Sequence, residues 1–302
     1  MSSTLDALGV LDVPDGPREP EPPPRRRAGT ARTVRFFLRR PGLVLSVLVI
    51  AAVVLASFWP GLFTSRDPLT GVPAQAFRAP GAAHWFGTDE LGRDLYARVV
   101  HGAALSLKAT LIAVAVSFVA GGLLGLLAGF AGRWIDDALM RFVDVLLSIP
   151  ALFLSLALVT ALGYGTVKVA VAVGVASVAT FARVMRSEVL RVRQAVFVEA
   201  ARSCGTRWYA ILGRHVLPNA IGPVLVLATL DFGTAVLAVS SLSFLGYGAA
   251  PPAPEWGTLI SDGRNYLANA WWMTALPGLT IAATVLATNR IARALDGEWG
   301  RR

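Results

Sequence analysis

The chain has one cysteine, two lysines and three histidines, and only 16% of its 302 residues are charged. Cys204 alone excludes an internal disulfide and any cysteine-based metal site. His84, His101 and His215 lie in three separate segments, so no histidine metal cluster is expected. Neither Lys108 nor Lys168 stands in a G-x-x-x-x-G-K-[ST] pattern, so the backbone cradle of a Walker nucleotide site is missing. H-E-x-x-H and G-x-S-x-G are absent as well, and the acids within the apolar runs are not paired for hydrolysis. An enzymatic reading has no residues to stand on.

What is abundant is apolar surface. A hydrophobic content of 55% and a mean hydropathy of +0.59 exceed what a soluble domain carries, and they point to an all-α integral membrane protein. A bilayer core needs about 20 apolar residues per helix. Six stretches meet that need: 43–59, 107–130, 139–162, 167–184, 220–245 and 271–289. No small-residue cleavage site follows the first, so it reads as an uncleaved anchor. Residues 1–40, with PDGPREPEPPPRRRAGTARTVR, read as a disordered, basic, Pro-rich cytoplasmic tail ending in an interfacial helix. Residues 41–302 form the membrane domain.

Basic residues accumulate on the cytoplasmic side of a membrane. With both termini inside, all of the 28 Lys and Arg fall there except Arg66, Arg78, Arg93, Arg98, Lys108, Lys168 and Arg264. The net charge of +9 then reflects topology and attraction to anionic membrane lipid, and no nucleic-acid partner is expected. Trp59, Trp271 and Trp272 fall at span ends, where amphipathic rings favour the interface.

Several local patterns add detail. The external loop 61–106 carries HWFGTDELGRDLYARVVHG, in which Asp89, Arg93 and Asp94 are expected to form an exposed ion-pair cluster capping the second span, with Gly87 and Gly92 in tight turns. Gly121, Gly125 and Gly129 make a small-residue stripe that admits a closely packed helix, from this chain or another. Pro150, Pro223 and Pro277 should kink or break the third, fifth and sixth spans. Two acids, Asp144 and Asp231, lie within apolar runs. A mid-span carboxylate costs about 2.5 to 3.5 kcal/mol on insertion scales unless it faces protein or water. Asp231 should therefore line a pathway or bond to a neighbouring helix.

The cytoplasmic loop 185–218 holds EAARSCGTRWYAILGRHVLPN, beginning at Glu199. Helical composition runs from Arg183 to Cys204, Gly205 supplies a left-handed stop, a second short helix follows, and Pro218 opens the next span. Ala200, Ala201 and Cys204 would let another protein approach the backbone closely. The segment is either a helix-turn-helix knob projecting into the cytoplasm or an amphipathic linker lying on anionic lipid.

Glu199-Ala200-Ala201, Gly205 and HVLP at 215–218 resemble the EAA loop of permease subunits of bacterial ABC importers, with His215 where that pattern usually has Ile. HWFGTDELGRDLYARVVHG, SFLGYG at 243–248 with PPAPEWGTLISDGR after it, and DALMRFVDVLLSIP resemble the C-type permease of the dipeptide/oligopeptide/nickel importers. The resemblance covers most of the chain from Arg39 onward. It implies a coupling helix at Glu199, Ala200, Ala201 and Gly205 seated on a cytoplasmic ATPase, a second homologous permease, two ATPase subunits or domains, and an extracytoplasmic solute-binding protein. It implies that this chain binds no cofactor and that ATP and Mg belong to the partners. Members of that family often carry an acid a few positions before SFLG, where this chain has Val239. A self-contained secondary transporter would show inverted repeats, but the EAA-like segment occurs once. A scaffold that moves nothing would differ only in lacking ATP-dependent uptake.

Overall fold

A computed structural model of the chain describes residues 41–299, and the basic tail expected over 1–40 lies outside the described residues. Among these residues the fold is all-helical, with two isolated bridges, Gly71 to Arg93 and Thr88 to Asp94, as the extended pairings. The helices are α1 Pro41–Phe58, α2 Leu95–Ala131, α3 Arg133–Ser148, α4 Ala151–Leu162, α5 Thr166–Arg193, α6 Val196–Ser203, α7 Trp208–Phe244, α8 Trp256–Gly263 and α9 Trp272–Trp299. One wide turn interrupts α2 at Ser117–Gly121 and another interrupts α7 at Leu212–Val216, each with the hydrogen-bond step of a π-helix.

Helices α1, α2, α5 and α7 are each long and apolar enough to cross a membrane, and α3 with α4 makes a fifth crossing if the bent pair counts as one. The third expected span is thus not one helix. It turns by 94° between α3 and α4. Pro150 lacks an N–H, and its ring pushes Ile149 out of the helical region to φ −96° and ψ 126°. Pro223 and Pro277 behave otherwise, because α7 and α9 continue through them. There the hydrogen-bond ladder on both sides holds the helix. Helix α2 also starts earlier than expected, at Leu95, because the Asp94 carboxylate accepts from the Ala97 N–H at 2.9 Å and caps it.

The centre of the bundle is α5, which packs against α2, α3, α4 and α7. Its partner across the glycine stripe is α2 of the same chain, running parallel to it. A Cβ on Gly174 would lie 2.6 Å from the Ala113 carbonyl oxygen, one on Gly125 would overlap the Ala182 carbonyl oxygen and lie 2.8 Å from Met185 Cβ, and one on Gly129 would lie 2.7 Å from Val189 Cγ1. The helices therefore meet backbone to backbone over their whole shared length. Around this pair the elements alternate. One end gathers the loop before α2, the N-termini of α5 and α9 and the C-terminus of α7, where Gly165 N–H donates to the Tyr247 carbonyl and the Trp272 indole to the Thr88 carbonyl. At the other end Arg193 donates to the Gly129 and Phe130 carbonyls, satisfying the last turn of α2.

Overpacking by one or two methyls in such a seam costs about 1 to 3 kcal/mol. Gly125→Val is therefore expected to lower the unfolding temperature of the detergent-purified protein, while Gly213→Ala, where a Cβ meets nothing within 4 Å, leaves it unchanged. Equal melting of the two variants would show that α2 and α5 do not need this contact.

Candidate functional site

Helix α5 ends at Arg193, and Gln194 and Ala195 turn the chain into α6, so the expected helix up to Cys204 is two helices. The C-terminus of α6 closes as a Schellman motif: Thr206 N–H donates to the Ala201 carbonyl at 3.1 Å and Gly205 N–H to the Arg202 carbonyl at 2.9 Å. Gly205 sits at φ +75° in open space, so conformation rather than room requires glycine. The second short helix does not end before the next span. It runs from Trp208 through the π turn into α7, with Pro218 just beyond that turn.

Val198 anchors α6 by packing, fully buried, into a cluster with Val192, Ile211 and Val216. Glu199 and Ala200 face outward beside Phe197 and the bare tip Val196, which is 82% exposed. Ala201 turns half inward against the same cluster. The knob is thus a rigid projection with a small, partly apolar outer face. His215 leaves the turn intact, its ring 6.4 Å from that of Phe197.

Between α4, α5 and α7 lies a cavity of about 280 Å³ walled by Leu152, Ser155, Val173, Ser177, Thr234 and Ser241 among others. Asp231 is half-buried one turn before Thr234 on the same face of α7, and the Thr234 hydroxyl donates to its Oδ1 at 2.9 Å. Asp144 is elsewhere. It lies on α3, exposed, and accepts from Arg183 of α5 at 2.5 Å, so the two acids are not brought together. Val239 is 1% exposed within an apolar cluster of α2, α4, α5 and α7 residues and does not line the cavity.

At the end opposite the knob, the loop before α2 is a folded cap. Its charges are buried rather than exposed: Asp89, Arg93 and Asp94 are 3%, 7% and 7% accessible. Arg93 donates to Asp89 at 2.6 Å and to Glu90 at 3.0 Å, while Arg98 from α2 lies 3.6 Å from Asp89 and 3.9 Å from Asp262 of α8. Asp94 does not join Arg93. It accepts from Arg66 at 2.6 Å and contacts His84 Nδ1 at 2.8 Å while capping α2. Gly87 and Gly92, at φ +74° and +73°, make the expected turns. Trp272 is a buried staple to the Thr88 carbonyl at 3.1 Å rather than an interfacial ring.

The binding-protein-dependent transport system inner membrane component family matches residues 121–300. The chain belongs to this family. It is 38% identical to the dipeptide transport system permease protein DppC of Alkalihalophilus pseudofirmus over 83% of each chain. It is 37% identical to the probable D,D-dipeptide transport system permease protein DdpC of Escherichia coli K12 over 89% of this chain and 90% of that one. Among solved structures, the MetNI methionine ABC transporter in inward-facing conformations aligns with a TM-score of 0.52 at 20% identity, over 66% of this chain and 96% of the other, a likeness of fold. The EAA motif and coupling helix are typical of such inner membrane components.

One buried carboxylate of this inner membrane component escaped the sequence reading. Glu255, 1% exposed, accepts from the Ser243 hydroxyl at 2.8 Å, the Ala249 N–H at 2.7 Å and the Thr166 hydroxyl at 3.2 Å. It ties α5, the end of α7 and α8 together. Gly248 is required beside it, since a Cβ there would lie 2.6 Å from Ser243 Oγ and 2.8 Å from Glu255 Oε2. The available signal was an acid set in PPAPEWG within an apolar chain.

The cap separates two kinds of acid. Asp89 is compensated by two arginines, and removing one member of a buried pair costs about 3 to 5 kcal/mol. Burial pushes the Glu90 and Asp262 carboxyls above their ordinary values. With the folded-state value the higher, ionisation penalises the fold at neutral pH, and the penalty fades as pH falls into the ordinary carboxylate range. Asp89→Asn is expected to speed amide hydrogen exchange over residues 86–94 strongly, whereas Glu90→Gln slows it or leaves it unchanged at pH 7, the difference from the parent shrinking on acidification. Equal damage from both variants would refute this division.

Proposed function

We propose that this chain is one of two homologous permease subunits of a binding-protein-dependent ABC importer for peptides or a related small solute. Two ATPase subunits or domains supply the energy, and an extracytoplasmic solute-binding protein delivers the cargo. ATP and Mg are held by those partners, because this sequence has no phosphate-cradling motif of its own. The observation that carries the reading is the knob: a short helix, stopped by Gly205 and seated by Val198, presents Val196, Glu199 and Ala200 outward. In this reading it docks in a groove on the ATPase. The names of the peptide and dipeptide permeases to which the chain is similar support the solute class.

The proposal includes six crossings, α1, α2, the bent α3–α4 pair, α5, α7 and α9, with both termini in the cytoplasm. The alternation of helix ends and the distribution of arginines support it. In a Cys204→Ser background, cysteines at the exposed positions Ala82 and Asn265 are expected to react with impermeant thiol reagents from outside, and those at Gln194 and Ser203 only from inside. Outside labelling of Gln194 in intact cells would overturn both topology and docking.

Docking itself is tested at Ala200, which faces out, rather than Ala201, which also packs inward. Ala200→Trp should overpack the joint, and Gly205→Val should misaim the knob because a β-branched residue resists positive φ. After reconstitution with the partner permease and ATPases, both variants are expected to insert normally yet lose about tenfold or more of uptake and of substrate-stimulated ATP hydrolysis together, the loss from about 1.4 kcal/mol of disrupted contact. Parental values for both would mean that the segment is a lipid-facing linker.

A further inference from the structure

The half-buried carboxylates elsewhere have cationic partners: Asp136 meets Arg186, Glu188 meets Arg191, and Glu90 meets Arg93. Asp231 does not. Its one donor is the Thr234 hydroxyl, whose single proton is shared between Asp231 Oδ1 at 2.9 Å and the Asp231 carbonyl oxygen at 2.8 Å. Among the described residues no cation pairs with it. The position is the middle of α7, where an uncompensated charge is expensive.

The wall beside it has a matching chemistry. Ser155 donates to the Leu152 carbonyl at 2.9 Å and Ser241 to the Leu237 carbonyl at 2.8 Å, so with Thr234 these hydroxyls have spent their protons on their own helices. The oxygens of Ser155, Thr234 and Ser241 are left able only to accept. Three acceptor oxygens next to a carboxylate suit a group that donates and carries positive charge, Ser177 being the one wall hydroxyl whose proton is not bound to its own helix among the described residues. A primary ammonium, with three N–H donors and no acceptor, is that group. We propose that Asp231 and the cavity between α4, α5 and α7 form a transit site for the primary ammonium group of the solute. This rests on the permease reading above, and it names the part of the solute that the membrane path recognises.

The test reads the cavity directly and needs no transport. In a Cys204→Ser background, Ala238→Cys places a thiol on the cavity wall, in complexes assembled with the partner permease and ATPases in lipid nanodiscs. Modification by aminoethyl methanethiosulfonate is compared with that by a neutral methanethiosulfonate of similar size, each normalised to free cysteine. The ammonium reagent is expected to react about tenfold faster, the worth of one charge-assisted contact, and the trimethylammonium analogue, which has no N–H, to gain less. Asp231→Asn should abolish the preference and Asp231→Glu retain it. Ser241→Ala, which removes one acceptor of the wall and leaves Asp231 and its Thr234 donor in place, should lower the preference and decides the matter if Asp231→Asn fails to assemble. Absence of any modification, or a preference that survives Asp231→Asn or is unchanged in Ser241→Ala, would overturn the proposal. Uptake then separates the sources: with a free dipeptide, its N-acetyl form and an N-acetyl lysyl dipeptide, the variant-to-parent ratio cancels the binding protein's own selectivity. A deficit confined to the free dipeptide assigns the amino terminus, and one that extends to the lysyl form assigns any primary amine. An equal deficit for all three would remove the ammonium assignment. Intact thiol selectivity in a complex that imports nothing would instead remove the importer reading.

Discussion

The backbone-to-backbone approach of α2 and α5 is the constraint on which the rest of the bundle depends. Lipid offers no hydrophobic drive for helices to associate, so the gain must come from close contact. Gly121, Gly125 and Gly129 on one side and Gly174 on the other remove the side chains that would hold the axes apart. Once α5 is fixed in that seam, its remaining faces are committed to α3, α4 and α7. The cavity forms along this arrangement because α4 is short and turned away from α3 by 94°. A straight third helix would occupy that side of α5 with a continuous wall.

Polar groups in so apolar a chain are concentrated where protein surrounds them. The cap places Asp89, Arg93 and Arg98 against one another, and Glu255 gathers three donors from two hydroxyls and a backbone N–H. Both devices sit at the same end and fasten different pieces. The cap holds the long loop to α2 and α8, while Glu255 holds α8 to α5 and α7. Neither arrangement would be worth its desolvation on a lipid-facing surface, where removing two charges from water is repaid only by good geometry and further hydrogen bonds.

Much of this was legible from local pattern. Apolar runs gave the helices, Gly205 gave the stop of α6, and the four-residue glycine spacing gave a packing seam. What escaped depends on distance in sequence. Pro150, Pro223 and Pro277 look alike as residues, yet only the first ends a helix, because the segments before it and after it pack in different directions. Asp89, Arg93 and Asp94 read as one surface cluster, but Arg66 and His84, far back along the loop, claim Asp94. Trp272 looks like an interfacial ring until the loop carbonyl of Thr88 reaches it. Glu255 carries no local sign of its partners, since Thr166 is 89 residues away.

The position of α6 gives the architecture its direction. It is spliced between the end of α5 and the start of α7, two of the three helices that wall the cavity, and Val198 joins both through one cluster with Val192, Ile211 and Val216. Under the proposed function a displacement of the knob is passed on with little slack, because Gln194 and Ala195 are the whole connection on one side and the hydrogen-bonded turn over Cys204 to Arg207 leads straight into α7 on the other. The π turn at Leu212–Val216 and the missing N–H of Pro223 are the irregular steps of α7 between the knob and Asp231. A packed, glycine-sealed α5 would resist that displacement more than α7, which carries the carboxylate. Motion at the knob would therefore alter the α7 wall relative to α5, changing the cavity where Asp231 and Thr234 lie rather than moving the bundle as a block.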